Sequence, residues 1–324
     1  MTTVTSWPCA ALHHAELSIR TTMRVGGVAE WLLEPATPEE LAKAITAARE
    51  QGFVPRILGG GANLIVDDGV LPGVVITTAR LQRLFRVDPR SGEELSEGLT
   101  DAQTGRVGAI PRDVDLRLVA WAGISLPKIV STAARLGWRG VEGLVGVPGQ
   151  VGGGVAMNAG GRWGDFWDVV ERVLLIDAEG RMFERTKAES NPSYRNGQLG
   201  ELVCASAVLK FELDAVAAVK ERGREYLLAK NQVQPVTEWS AGCVFKNPPK
   251  ELAEGRSAGR LVEQCGLKGR TRGDAIVSPL HGNFIVNRGK ATAADVLTLI
   301  EDVHDRVLEK TGVDLQREVK VWRA

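Results

Sequence analysis

The chain has 324 residues, 44% of them hydrophobic and 25% charged, with 40 Lys and Arg against 40 Asp and Glu. That length suits about two domains with real cores. The apolar fraction excludes intrinsic disorder, and the charge balance excludes a polybasic nucleic-acid binder or an acidic tail as the theme of the chain. The opening MTTVTSWPCAALHHAEL lacks a basic segment followed by an apolar one, so no secretory signal is expected. The stretch 28–34 reads as a strand. Thr37 then caps a helix with Glu39 and Glu40 in its first turn, Leu41, Ala44, Ile45 and Ala48 as its apolar stripe, and Gly52 as its stop. A strand over 54–58 runs into Gly59-Gly60-Gly61-Ala62-Asn63-Leu64, and another short strand follows over 74–77.

From 84 to 120 the alternation is that of antiparallel strands, interrupted by a polar exposed loop over 88–113, with a strand over 116–122. Ser125 caps a helix over 126–136 that Gly137 ends. The longest charge-free stretch, 143–161, is broken by glycines and Pro148. It is therefore no membrane helix, which would need about 20 mainly apolar residues. Strands are expected over 169–176 and 202–211, then a helix from Asp214 to about Lys230, a final helix over 293–308 and a tail strand over 319–322. Three parts follow: 1–78, 79–213 and 214–324. Cys9, Cys204, Cys243 and Cys265 are far apart without a CxxC pair, and the four histidines form no HExxH. A reducing, cytoplasmic setting with no metal site is expected.

The two glycine runs, Gly59-Gly60-Gly61 and Val147-Pro148-Gly149-Gln150-Val151-Gly152-Gly153-Gly154, can turn tightly and aim several N–H groups at one anion. Two such loops suit a pyrophosphate, while each alone could be only a turn. Neither is the GxGxxG dinucleotide fingerprint nor the GxxxxGK[ST] loop. A nucleotide on some other fold is indicated.

Segments at 21–27 (TTMRVGG), 58–66 (LGGGANLIV), 141–160 (VEGLVGVPGQVGGGVAMNAG), 193–195 (SYR), 241–248 (AGCVFKNP), 258–269 (AGRLVEQCGLKG), 281–287 (HGNFIVN) and 318–319 resemble, in order, those of the UDP-N-acetylenolpyruvoylglucosamine reductase family. The resemblance implies an α+β fold: an FAD-binding region of the vanillyl-alcohol-oxidase type and a C-terminal α/β substrate-binding domain. It implies non-covalent FAD, NADPH as co-substrate, and an enolpyruvyl substrate, UDP-N-acetylglucosamine enolpyruvate, that becomes UDP-N-acetylmuramate for peptidoglycan. It implies no nucleic-acid or membrane partner, and a monomer.

In that chemistry hydride from the reduced flavin adds to the enol β-carbon, and negative charge spreads from the α-carbon into the carboxylate. A group must neutralise this charge and an acid must protonate the α-carbon. The resemblance assigns Arg195 to the carboxylate, Glu318 to sharing a proton with the enediolate, and Cys243 to the position where the family usually has a serine donor. A free thiol, with a pKa near 8.5, gives up its proton far more readily than an alkanol; a small buried hydrophobe is the other use of such a cysteine. FAD is assigned to Arg24, to Gly59, Gly60, Gly61, Ala62, Asn63 and Leu64, and to Val147, Pro148, Gly149, Gly152 and Gly153. Substrate is assigned to Tyr194, Lys246, Asn247 and His281, the last with a core histidine as alternative. The stretch 214–240 has no room for the tyrosine loop that some members insert. Gly161-Arg162-Trp163-Gly164, Asn196-Gly197 and Val233 depart from the usual family residues. Two other functions fit parts of this pattern: an FAD-linked alcohol or sugar-acid oxidase of the same fold, and a nucleotide-sugar sensor without catalysis.

Overall fold

The computed structural model describes residues 6–87, 94 and 115–324. Apart from Glu94, the loop expected over 88–113 lies outside the described residues.

Short-range chemistry sets the helices. Thr37 Oγ1 accepts the Glu40 N–H at 3.1 Å, and Pro38 fills the first turn of the helix Pro38–Glu50, where a missing N–H costs nothing. That helix buries Leu41, Ala44, Ile45 and Ala48. Ser125 caps Leu126–Leu136 in the same way, and Gly137 ends it at φ 73°, a left-handed conformation that glycine adopts without penalty. Thr292 and Asp295 form a reciprocal capping box at the start of Ala293–Thr311. The strand expected over 54–58 is confined to Arg56–Leu58, and the one over 74–77 begins earlier, as Val70–Thr77. The strands Ala10–Glu16, Leu64–Val66 and Met182–Thr186 have no counterpart in the sequence expectations.

A four-stranded sheet runs in the order Ala10–Glu16, Val28–Glu34, Val70–Thr77, Arg56–Leu58. Arg56–Leu58 lies parallel to Val70–Thr77, with Arg56 opposite Val75 and Leu58 opposite Thr77.

Contacts divide the chain into two units. The first comprises Met1–Leu12, Leu32–Gly60 and Val74–Leu228; the second comprises His13–Trp31, Gly61–Gly73 and Ala229–Ala324. The first unit holds a five-stranded antiparallel sheet ordered Met182–Thr186, Val170–Ile176, Val203–Lys210, Arg117–Trp121, Leu84–Phe85. Its core includes Ile129, Trp138, Phe166, Trp167 and Leu209, all within 1% of full burial. The second unit pairs Trp239–Cys243 with Phe284–Asn287, and that strand with Ala275–Val277. Ala293–Thr311 supplies Val296, Leu299, Ile300 and Val303 to its core.

These units differ from the three parts read from the sequence, and the reasons are long-range. The tail strand Lys320–Trp322 runs parallel to Leu64–Val66. Asn287 Nδ2 donates to the Met23 carbonyl at 3.0 Å, and Met23, Val25 and Ile65 are core residues of the second unit. Residues 214–228 stay with the first unit: the Asp214 N–H donates to the Gly137 carbonyl at 2.7 Å, and Arg222 bridges Glu142 and Asp214, each at 2.7 Å.

Candidate active site

Residues expected at the site occur in both units, and each set is described within its own.

In the first unit the two glycine runs meet. A Cβ on Gly60 would lie 2.8 Å from Gly149 Cα, closer than packed atoms approach, so the loops touch backbone to backbone. Gln150 joins the contact by accepting a hydrogen bond from Thr78 Oγ1 at 3.0 Å. The run does not stay a loop, for Val151–Met157 is a short helix. Its glycines have separate reasons. Gly152 packs on Ala122, whose Cβ a side chain would meet at 3.0 Å, and its N–H is committed to the Ala122 carbonyl at 2.9 Å. That N–H is therefore not one a phosphate could take. Gly154 packs on Phe166 and Leu126, whereas nothing lies within 4 Å of a Cβ on Gly153. Gly59 meets its nearest neighbour, Gln150 Oε1, only at 3.8 Å. Val147 is half-buried with its N–H on the Leu144 carbonyl, and Pro148 is exposed. Gly59, Gly60, Gly149 and Gly153 thus bring bare backbone of the two runs together, which fits the diphosphate of a dinucleotide such as FAD.

The far end of the same short helix holds Arg195. Gly197 donates its N–H to the Ala156 carbonyl at 2.9 Å, and a Cβ there would lie 2.0 Å from the Val155 oxygen. Asn158, buried at φ 42°, donates to the Ser193 carbonyl at 3.1 Å and accepts the Trp167 N–H at 3.2 Å. Arg195 itself has φ 56°. Its guanidinium lies 5.0 Å from the centre of the half-exposed Tyr194 ring and 3.8 Å from Asp165 Oδ1. Burial holds the Asp165 carboxyl above its ordinary pKa, while Arg195 acts against that rise. Seven residues of helix span about 10 Å, so the contact between the glycine runs and the Arg195 turn sit at opposite ends of this short helix. Asn158 lies within the family-like stretch 141–160 without a role assigned there, and Asp165 had none either, because their partners Ser193 and Arg195 are distant along the chain.

In the second unit the 61–64 segment and the tail meet. Gly61, at φ 61°, sits where a Cβ would be 2.2 Å from the Arg20 oxygen, and its carbonyl accepts the Thr22 N–H at 3.1 Å. Ala62 is half-buried, and Leu64 pairs with Lys320. Asn63 Nδ2 donates to the Glu318 carbonyl at 3.3 Å, so this amide ties the glycine-loop segment to the stretch just before the tail strand, where the expected carboxyl sits. Arg24, at φ 58°, donates to the Ile19 carbonyl at 2.8 Å.

Cys243 is half-buried and ends the strand Trp239–Cys243 after a bulge between Ser240 and Cys243, with Gly242 at φ 75°. The next carbonyl, that of Val244, accepts the Glu318 N–H at 2.8 Å. Cys243 and Glu318 are therefore one hydrogen-bonded step apart along the backbone. Lys246 donates its N–H to the Gln316 carbonyl at 2.8 Å. Asn247 Oδ1 accepts the Ala258 N–H at 3.1 Å, which occupies its acceptor in starting the helix Ala258–Gln264. His281 Nδ1 accepts the Asn283 N–H at 3.1 Å, and the ring packs on Phe284 at 5.0 Å and closely over Gly259. Burial pushes its imidazole below the ordinary pKa. Among the described residues no group of three or more His, Cys, Asp or Glu could hold a metal ion, and no helix is long and apolar enough to cross a membrane.

Residues 234–322 match the family model for the C-terminal domain of UDP-N-acetylenolpyruvoylglucosamine reductase, and 29–186 match an FAD binding domain. UDP-N-acetylenolpyruvoylglucosamine reductase 2 of Symbiobacterium thermophilum is 38% identical over 308 residues, covering 94% of this chain and 90% of that protein. The Moorella thermoacetica reductase is 37% identical over 313 residues, covering 96% and 93%. The crystal structure of the Thermus caldophilus reductase superposes with a TM-score of 0.74 at 35% identity, covering 97% of this chain and 98% of that one. The α+β expectation, an FAD-binding region followed by a distinct C-terminal domain, is borne out. The chain belongs to the UDP-N-acetylenolpyruvoylglucosamine reductase family.

Proposed function

We propose that this protein reduces UDP-N-acetylglucosamine enolpyruvate to UDP-N-acetylmuramate, with NADPH as reductant, in the cytoplasm, as a step of peptidoglycan precursor synthesis. FAD, when bound, supplies the hydride that the enol β-carbon receives. Gly59, Gly60, Gly149 and Gly153 would hold its diphosphate by backbone N–H groups, and Arg24 and Gly61–Leu64 are the other residues assigned to it.

As the substrate C=C π bond opens, its electron pair moves to the α-carbon and into the carboxylate. Arg195 meets that carboxylate with two parallel N–H donors, a pairing that strengthens as charge builds. Cys243 breaks its S–H bond and the proton joins the α-carbon; water reprotonates the thiolate. Glu318 shares a proton with the carboxylate oxygens, which keeps the enediolate from carrying a full second charge. Tyr194 and Lys246 lie along the same two segments and contact the nucleotide sugar, Lys246 as a point charge for phosphate.

The observation that carries this reading is the Val244 carbonyl, which joins the Cys243 turn to the Glu318 backbone at 2.8 Å in a chain that aligns with the reductases over 94% of its length. The test is anaerobic. NADPH should bleach the yellow protein, and UDP-N-acetylglucosamine enolpyruvate should restore the flavin colour with one equivalent of UDP-N-acetylmuramate. A protein that is not bleached, or stays bleached after substrate, refutes the proposal.

A further inference from the structure

The turn after Cys243 is fixed by a side chain that does not belong to the expected site. Asn283 is 3% exposed. Its Oδ1 accepts the Phe245 N–H at 2.9 Å, and its Nδ2 donates to the Phe245 carbonyl at 2.8 Å. Its backbone carbonyl accepts the Val244 N–H at 2.9 Å. The ladder between Trp239–Cys243 and Phe284–Asn287 slips between Ser240 and Cys243 and keeps only the Cys243–Phe284 pair beyond the slip. From that last pair onward, the Asn283 amide fixes the course of Val244 and Phe245, and with it the turn that carries the thiol. Val244, held on this side, offers its carbonyl to Glu318 on the other. Asn283 is itself steadied by donating its N–H to His281 Nδ1. The amide must present oxygen to an N–H and nitrogen to a carbonyl, so only a side chain that both accepts and donates satisfies Phe245.

We propose that Asn283 is a positioning residue for the protonation step, acting through the Val244–Phe245 backbone to hold the Cys243 thiol at the substrate α-carbon. This rests on the reading of Cys243 as the acid. A misplacement of about 1 Å in such a step costs about a hundredfold in rate.

The test separates the half-reactions in stopped flow, without oxygen, on FAD-loaded protein. Asn283→Ala should be bleached by NADPH within twofold of the parent rate, while reoxidation by UDP-N-acetylglucosamine enolpyruvate falls about a hundredfold. In a Cys243→Ala background the same change should slow reoxidation no further. Asn283→Asp keeps the acceptor and regains a donor only when its carboxyl is protonated, so its reoxidation relative to the parent should recover as pH falls. A purely structural role would slow both half-reactions together or add to Cys243→Ala; either result overturns the proposal, as does reoxidation of Asn283→Ala within twofold of the parent. If Asn283→Ala does not fold, Asn283→Asp decides the matter: reoxidation that follows the parent at every pH overturns it. Normal reoxidation by Cys243→Ala alone would instead overturn the assignment of the thiol, which separates the two failures.

Discussion

Cys243 occupies a bulge that ends a strand, where Gly242 turns left-handed and the next two residues are hydrogen-bonded away from it. A thiol there can be exchanged for a hydroxyl with almost no change of shape, so Cys243→Ser should keep appreciable reoxidation, slowed by the alkanol's weaker acidity. Cys243→Ala removes the proton donor altogether. Flavin reduction by NADPH should continue, while reoxidation falls about 10²- to 10⁴-fold, the usual worth of a positioned acid. Stopped-flow absorbance checks both, and alkylation by iodoacetamide should inactivate the enzyme unless substrate is present. The Cys204 thiol behaves differently: it is buried, donates to the Ser206 carbonyl, and is pushed up to about 12 by burial. His304 offers a separate residue-scale test. Its ring nitrogens lie 2.9 Å from Asp305 and 2.8 Å from Asp314, and these carboxylates hold the imidazolium above its ordinary pKa. The charged form is favoured by folding. Its stabilisation is therefore complete below the unfolded value near 6.5 and is lost as pH rises through the raised folded value. His304→Leu should lower Tm below about pH 6.5 and leave it nearly unchanged at pH 9, as thermal melts across pH would record.

Elements show which features were legible in the sequence. The caps at Thr37 and Ser125 and the stop at Gly137 were readable because each is satisfied within four residues. Thr292 should follow the same rule: Thr292→Ala removes half of a capping box and should cost about 1 kcal/mol, seen as a lower Tm with activity retained. The helix Val151–Met157 was not legible, because three consecutive glycines disfavour a helix locally. Its glycines are set by packing, because Ala122 and Phe166 leave no room for larger residues at Gly152 and Gly154. The cradle role of the first glycine run was legible, but its contact with the second was not. Gly60→Ala places a methyl 2.8 Å from a backbone carbon that cannot rotate away. It should part the two loops and weaken FAD binding at least tenfold in a fluorescence titration. The strand Leu64–Val66 escaped notice because three apolar residues have no periodicity to read. The importance of Asn283 escaped because its partner lies 38 residues away.

At the scale of the whole molecule, the second unit is assembled from three separate stretches of chain. Residues 234–322 match a family model by themselves, yet Met23, Val25 and Ile65 are buried in their core and Leu64–Val66 flanks the tail strand. A fragment 229–324 should therefore remain largely unfolded, with collapsed amide dispersion in an NMR spectrum. The same discontinuity explains why boundaries placed from composition shifts differed from the observed units: contacts across hundreds of residues leave no local trace.

Asn63 and Glu318 hold one another across 255 residues of sequence. On a ribosome, the loop that waits for this partner is made first and stays unmatched until 255 further residues have been added. The carboxyl assigned to the reaction arrives with that late segment, so a product terminated before it lacks both the group and the partner of the early loop. Synthesis cut short then yields an inert, protease-sensitive chain rather than a partly competent oxidoreductase.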